Sequence, residues 1–219
     1  MKKAPIIGFY NYWVVLTYLG LIFAVSGILT VISGNIKLAI AFLMLSGICD
    51  LFDGAVARKA KRTEVEKNFG IQIDSLADLV SFGILPAVTG YVIFLKSENY
   101  SCGKTIFTVI IIAIYVLAAL IRLAYFNVIK DEFEKNHKEL NFYKGLPVTS
   151  VALIIPVVYS ICIYLDVAIC KIFTPMLLLI AIAFVVNIKV PKLKLKNMII
   201  VCLIALLFIL YFLISKGSI

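Results

Sequence analysis

The sequence predicts an all-α, polytopic integral membrane helix bundle, and three observations carry the prediction. Hydrophobic residues fill 63% of the 219 positions and charged ones only 15%, with a mean hydropathy of +1.09. A soluble domain of this length could not hide so much apolar surface. The apolar residues fall into seven runs, each near the ~20 residues that cross a bilayer. Basic residues gather in the short segments between alternate runs. No polar stretch is long enough for a separate domain, so residues 1–219 read as one transmembrane unit.

Taken in order, Met1-Lys2-Lys3 ahead of an apolar run resembles the start of a signal peptide. The run is too long and no A-x-A site closes it, so it reads as an uncleaved first span. Residues 4–12 are expected to form a short interfacial helix, with Tyr10, Tyr12 and Trp13 at headgroup level. Spans are expected over about 13–33, 36–58, 70–95, 105–129, 147–165, 172–188 and 197–215. The first six form a core over about 1–188, and the last is a C-terminal appendage.

The mixed charges of 130–144 predict a short helical or irregular connector in which His137 is solvated. Pro191 in KVPKLKLK ends the sixth span and sets lysines against lipid headgroups. Asp166 reads as a solvated loop residue. Cys49, Cys102, Cys162, Cys170 and Cys202 show no paired spacing, which excludes a disulfide framework or thiolate metal site and leaves them as small packing residues.

A formal charge of +9 could point to nucleic acid, but the distribution of the basic residues points to membrane lipids instead. The N-terminus and the segments 58–67, 130–144 and 189–196 carry two, five, four and four Lys or Arg. The other side has Lys37, Lys96, Lys104, Lys171 and Lys216. Fifteen against five places the N-terminus and the basic loops in the cytoplasm of a cell-membrane protein. Arg122 remains, inside the fourth span.

Asp50, Asp53, Asp74 and Asp78 sit in the second and third spans, where a carboxylate costs several kcal/mol and marks function. Asp50 and Asp53 share a helix face at i, i+3, as Asp74 and Asp78 do at i, i+4. The two spans are antiparallel neighbours. At ~1.5 Å per residue, Asp53 and Asp74 lie roughly 6–8 Å from the basic-loop end, and Asp50 and Asp78 roughly 12 Å from it. The pairs match in depth, so the helices can close on a cage of four carboxylates. Such a cage repels itself unless cations enter, and all-oxygen ligation selects hard ions, Mg²⁺ or Mn²⁺. Two divalent cations there could clamp a diphosphate.

Gly54, Ala57 and Gly70 leave room for a bulky ligand beside the carboxylates, while Ala77 reads as ordinary helix packing. Arg58 has two readings, a phosphate contact and the first positive-inside residue. Arg122 also has two, an anchor for an anionic substrate group and a salt bridge to a site aspartate. Ser81, Asn127 and Lys144 are further candidates for substrate contact.

The string Asp50-x-x-Asp53-Gly54-x-x-Ala57-Arg58…Gly70-x-x-x-Asp74-x-x-x-Asp78 resembles the signature of the CDP-alcohol phosphatidyltransferases. IDSLADLVSFGILPA (73–87), RLAYFNV (122–128) and KGLP (144–147) look like the serine-using branch of that family. The resemblance implies transfer of a phosphatidyl group from CDP-diacylglycerol to the hydroxyl of L-serine, giving phosphatidylserine and CMP. It also implies metal ligation by Asp50, Asp53, Asp74 and Asp78, with Asp78 as general base. Gly54, Ala57, Arg58 and Gly70 become CDP-binding positions, and a homodimer is expected. The stretch from Lys59 to Phe69, KAKRTEVEKNF, is longer than the family pattern carries and predicts a longer cytoplasmic loop.

Three rivals are weighed. A sister enzyme using glycerol phosphate or an inositol derivative should offer more basic residues near the cluster. An intramembrane prenyltransferase would not need the Gly54, Ala57 and Arg58 framework. An ion-coupled transporter needs a polar path to the far side, and 38–46 and 82–95 are nearly all apolar.

Overall fold

The described apolar runs form helices because a helix satisfies its own backbone, the requirement lipid imposes on any spanning segment that is not in a closed barrel. The computed structural model describes residues 7–97, 102–135 and 142–191, together with 204 and 207. His137, the lysines beyond Pro191 and, apart from Ile204 and Leu207, the span expected over 197–215 lie outside the described residues.

The helices are α1 (Val15–Ile32), α2 (Ile36–Lys59), α3 (Glu64–Asp78), α4 (Leu85–Leu95), α5 (Cys102–Lys135), α6 (Val151–Tyr164) and α7 (Ile169–Val185). A π-helical turn, Leu79–Ile84, joins α3 and α4 into one rod. Val15–Ile32, Ile36–Lys59, Glu64–Leu95 and Gly103–Ile129 are long and apolar enough to span a bilayer, and Val148–Tyr164 and Ile169–Val185 are shorter apolar helices. The protein is an integral membrane helix bundle.

Two expectations are corrected. Lys59–Phe69 is not a long loop, because helix takes up most of it and only Ala60–Thr63 lie between α2 and α3. Thr63 and Glu66 form a reciprocal capping box, and Glu64 and Glu66 sit in the first turn, where the helix dipole favours acids. The described part of the expected interfacial helix, from Ile7 onward, consists of turns and bends. Tyr10 and Tyr12 are exposed there, but Trp13 is 3% exposed and turned inward. As the helical alternative for 130–144 anticipated, α5 runs on to Lys135.

The π turn has a cause in the sequence. Pro86 has no N–H to offer the carbonyl four residues back, and its ring crowds that carbonyl, which belongs to Phe82. The helix widens over Leu79–Ile84, and Tyr115 on α5 donates its hydroxyl to the Phe82 oxygen. Tyr115 and Phe82 are fully buried, in a core that also holds Ile40, Met44, Leu177 and Phe184. Gly47 brings α2 against α6, since a Cβ there would stand 2.6 Å from the Ala152 Cβ.

KGLP closes the bundle at the basic-loop end. Phe142–Lys144 pairs antiparallel with Lys189–Pro191 in a two-stranded ribbon, the sole strand structure among the described residues. Gly145 follows with φ +82, and a Cβ on it would lie 2.9 Å from the Phe184 carbonyl oxygen. Both the left-handed backbone and the close approach require glycine. Its N–H donates to Ile188 O, and the Leu146 N–H to Ala183 O at 3.1 Å.

Candidate metal centre

The carboxylates come from α2 and α3, whose faces are set by the i, i+3 and i, i+4 spacings. Asp50, Asp74 and Asp78 each offer an oxygen, and these oxygens lie within 4.8 Å of one another. Asp50 and Asp78 are within hydrogen-bonding reach of each other, as are Asp53 and Asp74. These contacting pairs are the two depth layers expected from residue spacing. Asp53 is 6% exposed and is held on a further side by Thr17 Oγ1, which donates to its Oδ2 at 2.9 Å.

A small cleft opens here between α1, α2 and the α3–π rod, lined by Thr17, Ser46, Asp50, Asp53, Asp78 and Ser81 among others. The donor set is oxygen only and the carboxylates converge, which fits hard divalent cations. Gathering these acids without a counter-charge is costly, so the arrangement calls for bound positive charge.

The remaining sequence-derived candidates divide by position. Arg58 is exposed and folds back over Gly54, where a Cβ would stand 3.3 Å from its Nη1. Ala57 is half-buried on the same stretch. A Cβ on Gly70 would meet Arg62 Nη1 at 3.1 Å and Trp13 Cζ3 at 3.2 Å. Arg62 itself lies over the Trp13 ring, 5.3 Å from its centroid. Asn11 donates to Glu66 at 3.0 Å, and Phe9 packs edge-on against Phe69. The segment before α1 therefore forms a cap on the N-terminal turns of α3.

Ser81 is buried below Asp78, with its Oγ 2.8 Å from Ser46 Oγ, and Ser46 donates to the Gly20 carbonyl at 3.0 Å. Asn127 Nδ2 donates to Ser75 Oγ at 2.7 Å, beside Asp74. Arg122 is 5% exposed; its Nε donates to Leu146 O at 3.1 Å and its Nη2 to Gly145 O at 3.4 Å, so it grips KGLP from α5. Lys144 is placed by its backbone alone, in the ribbon.

Four residues of this neighbourhood escaped the reading of the sequence: Thr17, Ser46, Trp13 and Arg62. The available signal for Ser46 was a hydroxyl one turn before Asp50, whereas Thr17 is one of several hydroxyls in its span. Trp13 and Arg62 carried no such signal, since both types are common at membrane borders.

The chain is 37% identical over 124 residues to a CDP-diacylglycerol–serine O-phosphatidyltransferase of Saccharomyces cerevisiae, covering 55% of this chain and 41% of the yeast protein. It is 29% identical over 164 residues to the protein of that name from Helicobacter pylori, covering 72% and 60%. With the archaetidylserine synthase of Methanothermobacter thermautotrophicus it is 32% identical over 146 residues, covering 64% and 55%. The matches thus span less than two thirds of each relative's length. A family model described as CDP-alcohol phosphatidyltransferase matches residues 14–215, a stretch that holds all four carboxylates, and the chain belongs to that family.

Proposed function

We propose that the chain transfers the phosphatidyl group of CDP-diacylglycerol to L-serine, forming phosphatidylserine and CMP. The observation that carries this reading is the convergence of Asp50, Asp74 and Asp78 oxygens within 4.8 Å beside Asp53, on a family signature. The names of the similar proteins support serine as acceptor. Arg58 beside Gly54 and Arg62 beside Gly70 are placed to meet one diphosphate.

In this scheme Asp50, Asp53, Asp74 and Asp78 hold two divalent cations, Mg²⁺ or Mn²⁺, which when bound neutralise the diphosphate and the departing CMP. Gly54, Ala57, Arg58 and Gly70 receive the nucleotide at the cytoplasmic face, and the acyl chains leave sideways into lipid. Asp78 accepts the proton of the serine hydroxyl as Oγ attacks the phosphorus bonded to diacylglycerol. The bond from that phosphorus to the bridging oxygen breaks, and CMP carries the electron pair away. Arg122 holds KGLP at the entrance and is the candidate partner for the serine carboxylate. Ser81 and Asn127, bonded to Ser46 and Ser75, stiffen the two sides of the cleft. The family resemblance makes a homodimer the expected assembly.

The test is CMP release by the purified chain in detergent with Mn²⁺, comparing serine, glycerol 3-phosphate and inositol. CDP-diacylglycerol and its ether-linked counterpart are assayed side by side. Release that depends on serine supports the reading. Release driven by either of the other acceptors overturns the choice of serine.

A further inference from the structure

We propose that Thr17 is a positioning residue for the carboxylate centre, fixing Asp53 so that its side chain stays turned toward Asp74 and a bound divalent cation. The inference rests on the metal-dependent reading above and extends it to α1, which carries none of the signature residues. Thr17 lies in the first turn of α1 and is 8% exposed. Its hydroxyl donates to Asp53 Oδ2 at 2.9 Å across the α1–α2 contact. A threonine in a helix can instead satisfy its hydroxyl on a carbonyl of the preceding turn, as Thr30 of the same helix does with Ser26 O at 2.6 Å. Thr17 spends its proton on the acid.

The geometry explains why this acid needs such a partner. Asp53 is 6% exposed and belongs to the layer nearer the basic-loop end. Asp74 on α3 stands within hydrogen-bonding reach of it, and two charged carboxylates so close repel, so an unrestrained side chain would rotate away. The hydrogen bond from Thr17, which reaches over from α1 at the edge of the cleft, holds the carboxylate against that repulsion. Outer partners of this kind orient metal ligands, and their loss typically weakens metal affinity by about 10–100-fold.

The test uses the purified full chain in detergent and Mn²⁺ as probe, reading free Mn²⁺ by electron paramagnetic resonance. Thr17→Val keeps the shape and removes the donor, and should weaken Mn²⁺ binding by about 10–100-fold. Thr17→Ser should bind like the wild type, as should Thr30→Val, which makes the same chemical change at the far end of α1. Thr17→Cys offers only a weak donor and supplies the same comparison if the valine variant is not recovered. In CMP release, the Mn²⁺ concentration needed for half activity should rise while the rate at saturating Mn²⁺ falls less. Wild-type-like Mn²⁺ binding by Thr17→Val, or equal weakening by Thr30→Val, would overturn the proposal and leave the metal reading standing. A wild-type chain that takes up no Mn²⁺ would overturn the metal reading, and this proposal with it.

Discussion

Tyr115 donates its hydroxyl to the main-chain oxygen of Phe82, four residues before Pro86, so a side chain of α5 serves a carbonyl that lacks the usual α-helical N–H donor four residues on. The contact is buried and lies just beyond Asp78, and it fixes the π turn from which Ser81 reaches Ser46. Tyr115→Phe should cost about 1–3 kcal/mol, because a buried carbonyl loses its donor. Pro86→Ala restores an N–H for that carbonyl, so Tyr115→Phe should cost measurably less in the Pro86→Ala background. Thermal unfolding of the four proteins in one detergent checks the coupling, and strict additivity would refute it.

Asp78→Asn should lower CMP release by about 10²–10⁴-fold while CDP-diacylglycerol still binds, since amide for acid removes a base and retains the shape. Binding is read from competition with labelled donor, apart from turnover. Full activity in this variant would remove Asp78 from its assigned role.

Trp13 is the sole tryptophan, and its ring packs against Gly70 under Arg62. If Gly70 receives the nucleotide, saturating CDP should change the intrinsic fluorescence of the wild type. Arg62→Ala should alter the starting signal by uncovering the ring. An unchanged spectrum on CDP binding, with binding measured separately, would place the nucleotide elsewhere.

Gly145→Ala should destabilise the protein by about 1–3 kcal/mol through its strained backbone. The added Cβ would also press on the Phe184 carbonyl, 2.9 Å away. Arg122→Lys should not substitute for arginine, because a single ammonium cannot reproduce a fork that meets the Gly145 and Leu146 carbonyls together. Melting temperatures of the two variants read both effects.

The membrane bundle and the paired aspartates were legible from sequence because both rest on short-range regularities. Apolar runs of span length announce helices, and i, i+3 or i, i+4 spacing fixes a helix face whatever the partner. Depth from the helix ends then matched Asp53 to Asp74 and Asp50 to Asp78. What escaped depends on cross-chain contacts. Thr17 matters only because α1 lies against Asp53, and Trp13 turns inward only because Gly70 leaves it a seat. The segment Lys59–Phe69 was misjudged for a local reason: its charges suggested a loop, whereas Thr63 and Glu66 cap a helix that continues into α3. The π turn has no short-range signal of its own, because Pro86 lies inside a continuous apolar run and the carbonyl it leaves without an i+4 donor is met by Tyr115 of a different helix.

The central claim, metal-dependent phosphatidyl transfer to serine at the four aspartates, is tested most directly by following labelled serine into extractable lipid. Purified chain with CDP-diacylglycerol and Mn²⁺ should form labelled phosphatidylserine in step with CMP, and chelation with EDTA should stop both. Labelled lipid that forms equally well in EDTA, or CMP released with no serine incorporated, would contradict the account.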